Sequence, residues 1–207
     1  MRTCLNAVWN ITAKCNYVCP YCINEAYKRT YGTFVLPEAK IWAAAWNRIE
    51  EELVIDITGG EPFLWDGLIE FIYLLSEDKR VAISTNESLD FLEFVQKVPP
   101  QKCINITMSY HPSAYVDLNY FIGKVLMLKN RGFNVNVNYE AYPEQMWIIP
   151  ELLEKTSKYD ISINIDTYLQ NTQTPYYSFN ESELEFLKHN ITDLRNIFLK
   201  EKNEYHL

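Results

Sequence analysis

The feature that most constrains this chain is an alternation. Strand-like runs near residues 5–12, 53–58, 81–86, 103–110, 133–140 and 160–168 are each followed by helical or loop sequence. The first helical run, 37–52, carries Pro37 in its first turn and sets Ile41, Ala45 and Ile49 on one face. Further helices are expected near 65–77, 88–97 and 117–130, the last stopped by Gly132 in the position of a C-terminal cap. Pro150 opens a fifth helix running to about 158, and Asn180 with Glu183 reads as a capping box for a sixth. Such alternation implies a parallel sheet with right-handed crossovers, and six units are fewer than the eight that close a full barrel. The expected fold class is α/β, a partial (β/α)6 barrel of parallel strands with helices outside. It occupies residues 1–190, and 191–207, with Ile191, Leu194, Ile197 and Phe198 at helical spacing, forms a helical tail docked on the barrel or on a partner.

Parity within the strands says which face is which. Val135, Val137 and Tyr139 alternate with Asn134, Asn136, Asn138 and Glu140, and Ile104, Ile106 and Met108 alternate with Asn105, Thr107 and Ser109. The sixth strand sets Ile161, Ile163 and Ile165 against Ser162, Asn164, Asp166 and Tyr168, while Asp56 and Thr58, and Ser84 and Asn86, share one parity of the second and third. Strands buried on both faces read as continuous apolar runs, and these do not. The apolar parity is therefore expected to face the helices and the polar parity to line a wet or ligand-filled interior.

Two motifs carry chemistry. Cys15, Cys19 and Cys22 are spaced four and then three residues apart, with Pro20 and Asn16 favouring a loop over a helix. A loop can point three sulfurs at one centre, one fewer than a closed zinc site or a fully ligated cluster uses. The second motif, Gly59-Gly60-Glu61-Pro62, closes the second strand, where residues without Cβ allow close approach of a ligand or form a plain turn. Together and in this order, the cysteine loop with Tyr21 before its last cysteine and the Gly-Gly-Glu-Pro turn resemble the radical S-adenosylmethionine (SAM) enzymes.

That resemblance implies a 4Fe–4S cluster on Cys15, Cys19 and Cys22 with one iron open to SAM, and an external one-electron donor of flavodoxin or ferredoxin type. It further implies reductive cleavage of SAM to methionine and a 5′-deoxyadenosyl radical that abstracts hydrogen from a peptide, protein or small polar substrate such as a nucleoside or sugar. By the same resemblance Gly59, Gly60, Glu61 and Pro62 would receive the methionine end, Tyr21 the adenine through its backbone, and Ser109 the ribose. Ser84, Asn86 and Asn138 share the interior parity and are further candidate contacts, as is Thr85, which sits on the other parity at a strand end. His111, just past the fourth strand, is a candidate proton donor or acceptor near neutral pH, and Asp166 a candidate for holding substrate. The chain departs from relatives with auxiliary clusters, since no cysteine follows Cys103. An auxiliary cluster and a cobalamin domain are not expected, and the uncovered side of the barrel suits a large substrate.

Composition narrows the remaining choices. A chain of 207 residues with 48% apolar content can bury one good core. The formal net charge of −8 offers no basic footprint, which argues against nucleic acid or anionic membrane as the main partner. No apolar run approaches membrane-spanning length, and the N-terminus enters strand-like sequence without a signal-type apolar segment, so a cytoplasmic location is expected. Five cysteines, three of them clustered, fit a reducing compartment better than a disulfide framework, with Cys4 and Cys103 as buried thiols at strand starts. Tyr176, Tyr177, Ser178 and Phe179 form aromatic packing or a lid. Two other readings stay open: a non-catalytic iron–sulfur or SAM-binding regulatory module, and a zinc-stabilised binding domain whose fourth ligand is Cys4, Cys103 or His111.

Overall fold

The computed structural model describes residues 4–22, 36–88, 91–114, 116–168 and 179–190. Six strands, β1 (Cys4–Thr12), β2 (Glu52–Gly59), β3 (Lys79–Thr85), β4 (Cys103–Ser109), β5 (Val135–Ala141) and β6 (Ser162–Thr167), form one sheet in sequence order. Every neighbouring pair is parallel. The helices between and after them are α1 (Ala39–Trp46), α2 (Leu68–Leu74), α3 (Leu92–Lys97), α4 (Leu118–Asn130), α5 (Ile149–Lys158) and α6 (Glu181–Asn190). This is the expected partial barrel. The tail 191–207 and residues 176–178 of the aromatic run lie outside the described residues, while Phe179 packs against the core. No helix among the described residues is long and apolar enough to cross a membrane.

Local chemistry explains the boundaries. Asp117 caps α4 by accepting from Tyr120 N at 2.9 Å. At its other end Gly132, with φ of 89°, lets its own N–H reach Lys129 O and that of Phe133 reach Leu128 O, the paired bonds of a Schellman cap. The capping box of α6 is reciprocal: Glu183 N donates to Asn180 Oδ1 at 2.9 Å, and Asn180 N donates to Glu183 Oε2 at 2.7 Å. The first helix is shorter than expected. Asn47 ends it and spends its side chain on the end of α2, donating to Leu74 O and accepting from Ser76 N.

The apolar parity packs under the helices, with Ile55, Ile57, Val81, Ile83, Ile106, Met108, Val137 and Tyr139 all in the core. Three expectations need correction. Ile41 is exposed and so is Ala45; the inward face of α1 is Ala39, Trp42, Ala43 and Trp46, because Trp9 of β1 lies 4.9 Å from the Trp42 ring and 5.7 Å from that of Trp46. Ile104 is also exposed: β3 pairs Val81 with Cys103 and then Ala82 with Asn105, so Ile104 is the extra residue of a bulge. Cys4 is exposed on the edge strand, whereas Cys103 is buried and its thiol is pushed up to about 12 by that burial.

The polar parity forms the other, concave face. Asn105 Nδ2 donates to Asn136 Oδ1 at 2.6 Å and to Thr107 Oγ1 at 3.0 Å, while Asn164 Nδ2 donates to Asn138 Oδ1 and to Asp166 Oδ1, both at 2.7 Å. These side chains can meet only if they leave the sheet on one side, opposite Val137, Tyr139 and Met108 in the core. Asn138 and Asp166 therefore face the interior as the parity predicts.

Candidate functional site

The cysteine loop follows directly from a defect in β1. The pairing of β1 with β2 shifts register between Asn10 and Thr12, which turns the chain across the C-terminal end of β2 before Cys15. There Gly60 N donates to Thr12 O at 2.6 Å and Glu61 N donates to Lys14 O at 2.9 Å. The glycines are required by this contact. A Cβ on Gly60 would lie 2.1 Å from Lys14 O, and one on Gly59, whose φ is 143°, would lie 2.3 Å from Thr12 O. The space that glycine leaves open is thus filled by the backbone carrying Cys15; the Gly60 and Glu61 N–H groups are spent on that backbone, and the Glu61 carbonyl accepts from Leu64 N at 3.1 Å.

Glu61 is the hub of this edge. It is 0% exposed, and its carboxylate accepts from Phe63 N (3.0 Å), Thr85 Oγ1 (2.9 Å) and Asn86 N (2.6 Å). Burial pushes its carboxyl up, against the pull of those bonds. Pro62 is buried, and Phe63 anchors the turn through ring contacts with Phe91 and Phe94 at 4.9 and 5.4 Å. Thr85 is buried too; its hydroxyl donates to Glu61 and accepts from Glu87 N at 3.1 Å, so it braces the turn and faces away from the interior.

None of the five cysteines is in a disulfide. Cys15, Cys19 and Cys22 are each partly buried, and Cys22 N donates to Cys19 O at 3.1 Å, a turn that sets the last two sulfurs on one bend. Burial raises the Cys19 pKa, and the neighbouring Cys22 and Cys15 raise it further. Among the described residues no three His, Cys, Asp or Glu side chains already converge as a metal cage does. The donor set itself fits a thiolate-held cluster: three reduced, partly accessible sulfurs from eight consecutive residues, at the strand ends where parallel barrels place their sites.

Around the loop runs an aromatic rim that the parity argument missed. Tyr21 stacks on His111 at 5.8 Å and tilts against Tyr142 at 5.3 Å, and Tyr142 meets Tyr168 edge-on at 5.1 Å. His111, Tyr142 and Tyr168 each stand just past the end of a strand, β4, β5 and β6, a recurrence that the sequence does contain. Burial raises the Tyr21 pKa, so its hydroxyl keeps its proton, and it shares a hydrogen bond with His111 Nδ1 at 2.9 Å whose direction follows the imidazole tautomer. Burial also lowers His111 to about 4, which makes it a neutral imidazole at pH 7. His111 thus orients Tyr21. Ser109, in register with Asn138, and Ser84, in register with Thr107, are partly buried on the concave side, and Glu140 pairs in register with Asp166. Asn86 stands apart from these: it is 6% exposed and bonded to the cysteine loop.

Comparison with known proteins places this geometry. Residues 9–111 match the model described as the Radical SAM superfamily. Among curated proteins, the antilisterial bacteriocin subtilosin biosynthesis protein AlbA of Bacillus subtilis (strain 168) is 26% identical over 167 residues, covering 73% of this chain and 36% of AlbA. Among solved structures, Streptococcus suis SuiB bound to precursor peptide SuiA superposes with a TM-score of 0.68 at 16% identity, over 95% of this chain and 46% of that one. The anSMEcpe structure with bound AdoMet gives a TM-score of 0.68 at 14% identity, over 95% and 59%. The chain covers between 25% and 38% of the lengths of the curated relatives it matches.

Proposed function

Because the chain belongs to the Radical SAM superfamily, we propose that Cys15, Cys19 and Cys22 hold a 4Fe–4S cluster, that SAM binds with it at the Gly59-Gly60-Glu61-Pro62 turn, and that the assembly acts on a peptide. When bound to Cys15, Cys19, Cys22 and the 59–62 turn, the cluster and SAM together would supply reductive cleavage of the sulfonium and, from it, the hydrogen-abstracting chemistry of a 5′-deoxyadenosyl radical. The electron comes from an external donor of flavodoxin or ferredoxin type. The observation that carries this reading is the loop of three cysteines, none in a disulfide, set at the strand ends beside a polar concave face.

The protein's own residues bind, orient and exclude water. The Gly60 carbonyl oxygen receives the ammonium of the methionine end, since the Gly60 and Glu61 N–H groups are committed to Thr12 and Lys14, and the Glu61 and Pro62 carbonyls accept from Leu64 N and Trp65 N. Glu61 and Thr85 hold that turn rigid from behind. Ser109 and Ser84, at the ends of β4 and β3, serve the sugar, and the Tyr21 backbone serves the adenine. Asn138, Asn164 and Asp166 present alternating donors and acceptors of the kind a peptide backbone matches, while Tyr142 and Tyr168 wall the site against water. A peptide substrate agrees with the bacteriocin biosynthesis role of AlbA and the precursor peptide bound to SuiB.

The test is product release. Anaerobically reconstituted and reduced protein is expected to convert SAM slowly to 5′-deoxyadenosine and methionine without substrate, quantified by chromatography. A chain that binds SAM yet releases no 5′-deoxyadenosine under these conditions is a binding module and not an enzyme.

A further inference from the structure

We infer that Asn86 is a positioning residue for the cluster: it holds the sulfur of Cys15 by a hydrogen bond and does not bind SAM. The inference rests on the cluster reading above and adds a role for a residue outside the cysteine loop. Asn86 follows β3, and its backbone N–H donates to Glu61 Oε2 at 2.6 Å. Its side-chain Oδ1 accepts from Ser88 N at 3.1 Å, which fixes the orientation of the amide because a backbone N–H can only donate. The Nδ2 group then points at the cysteine loop, donating to Cys15 Sγ at 3.4 Å and to Asn16 Oδ1 at 3.1 Å. Both amide hydrogens are thereby used within the protein. Ser88 Oγ adds a second donor to Asn16 Oδ1 at 3.2 Å.

The turn that aims Asn86 is held under strain by a buried ion pair. Glu87 has φ of 60°, a left-handed conformation that strains a non-glycine residue. It is nevertheless 2% exposed, its carboxylate 3.1 Å from Lys124 Nζ on α4, and the same ammonium donates to Glu87 O at 2.7 Å. Lys124 is steadied in turn by the Tyr120 ring, 4.8 Å away. A chain of contacts thus runs from α4 through Glu87 to Asn86 and on to Cys15, while Glu61 holds the same residue from the Gly-Gly-Glu-Pro turn. An amide N–H on a thiolate ligand stabilises its negative charge, and hydrogen bonds to cluster sulfurs are among the factors that set the reduction potential.

The test compares wild type, Asn86→Ala and Asn86→Asp after anaerobic reconstitution. Two quantities are read: the rate of iron loss to a chelator and the midpoint potential of the cluster from an EPR-monitored redox titration. Both variants are expected to lose iron about 10–100-fold faster, the range for removing a partner of a metal ligand. The potential should shift negative in Asn86→Ala and further in Asn86→Asp, which exchanges the donor for an anionic oxygen. Melting of the metal-free proteins is measured alongside. Should Asn86→Ala melt early, Asn86→Asp decides, since it keeps the shape and the acceptor for Ser88 N. Wild-type iron retention and wild-type potential in the variants would overturn the inference. A wild-type chain that takes up no iron and sulfide would instead overturn the cluster reading on which it stands.

Discussion

The two halves of the sheet treat their polar groups in opposite ways. At the ends of β1–β3 they are buried and spent on other parts of the chain: Gly60 and Glu61 N–H on Thr12 and Lys14, the Glu61 carboxylate on three donors, Asn86 on Cys15 and Asn16. On the concave side of β4–β6 they bond mainly to each other and stay partly open, as in the Asn105–Asn136 and Asn138–Asn164–Asp166 sets. A fully satisfied buried network is rigid and expensive to disturb, whereas side chains that can trade one another for a guest are adaptable. On the function proposed above, the first half would serve as a fixed seat for a cofactor and the second as a receptive surface for a substrate.

Substitutions should separate these halves by the size of their effect. Gly60→Val is expected to be the most damaging. Its Cβ would fall 2.1 Å from Lys14 O and 2.5 Å from Lys14 C, so the backbone leading to Cys15 must move. We expect a loss of about 3 kcal/mol in thermal or denaturant unfolding, at the upper end for overpacking, together with loss of iron binding. Stability and iron uptake equal to wild type would show that the turn is looser than its contacts imply. Glu61→Ala comes next: it strips an acceptor from Thr85, Asn86 and Phe63, and an unsatisfied buried donor costs about 1–3 kcal/mol. A urea titration measures it.

A third contrast lies in pH. The buried His111 has a folded pKa of about 4 against an ordinary value of 6.5, so the unfolded chain binds the extra proton first. Stability is fully present above pH 6.5 and is lost as pH falls through 6.5 towards 4. Because the ring keeps some solvent contact, about 1 kcal/mol is expected, and His111→Gln should flatten that part of the profile of the metal-free protein. The smallest stability effect belongs to the concave face. Asp166→Ala should change unfolding by less than about 0.5 kcal/mol, because the residue is exposed. Loss of a hydrogen bond to substrate should still weaken peptide turnover roughly 10–100-fold while substrate-free SAM cleavage persists. A large stability loss in Asp166→Ala would erase the distinction between the two halves.

Much of this was legible in the chain, for reasons that are local. Alternation of β-branched and polar residues located all six strands and, apart from Ile104, the faces of the second to sixth, and caps that need only neighbouring residues, Gly132 and the Asn180–Glu183 box, marked helix ends. What escaped was set by distant contacts. The inward face of α1 follows Trp9 on another element, so Ile41 was mistaken for core. The bulge at Ile104 depends on register with β3, which no single strand encodes. The glycines of the 59–62 turn were legible as necessary, but what fills their space is the backbone at Thr12 and Lys14. A glutamate in left-handed backbone, paired across to Lys124, leaves no mark in the sequence around Glu87.

The central claim, that the cysteine loop seats a cluster and that the rest of the β1–β3 edge exists to hold that loop, is tested most directly by iron and acid-labile sulfide analysis of the anaerobically reconstituted protein. About four irons and four sulfides per chain are predicted, abolished by alanine at Cys15, Cys19 or Cys22 and untouched by alanine at Cys4 or Cys103. One zinc per chain with no sulfide would contradict it.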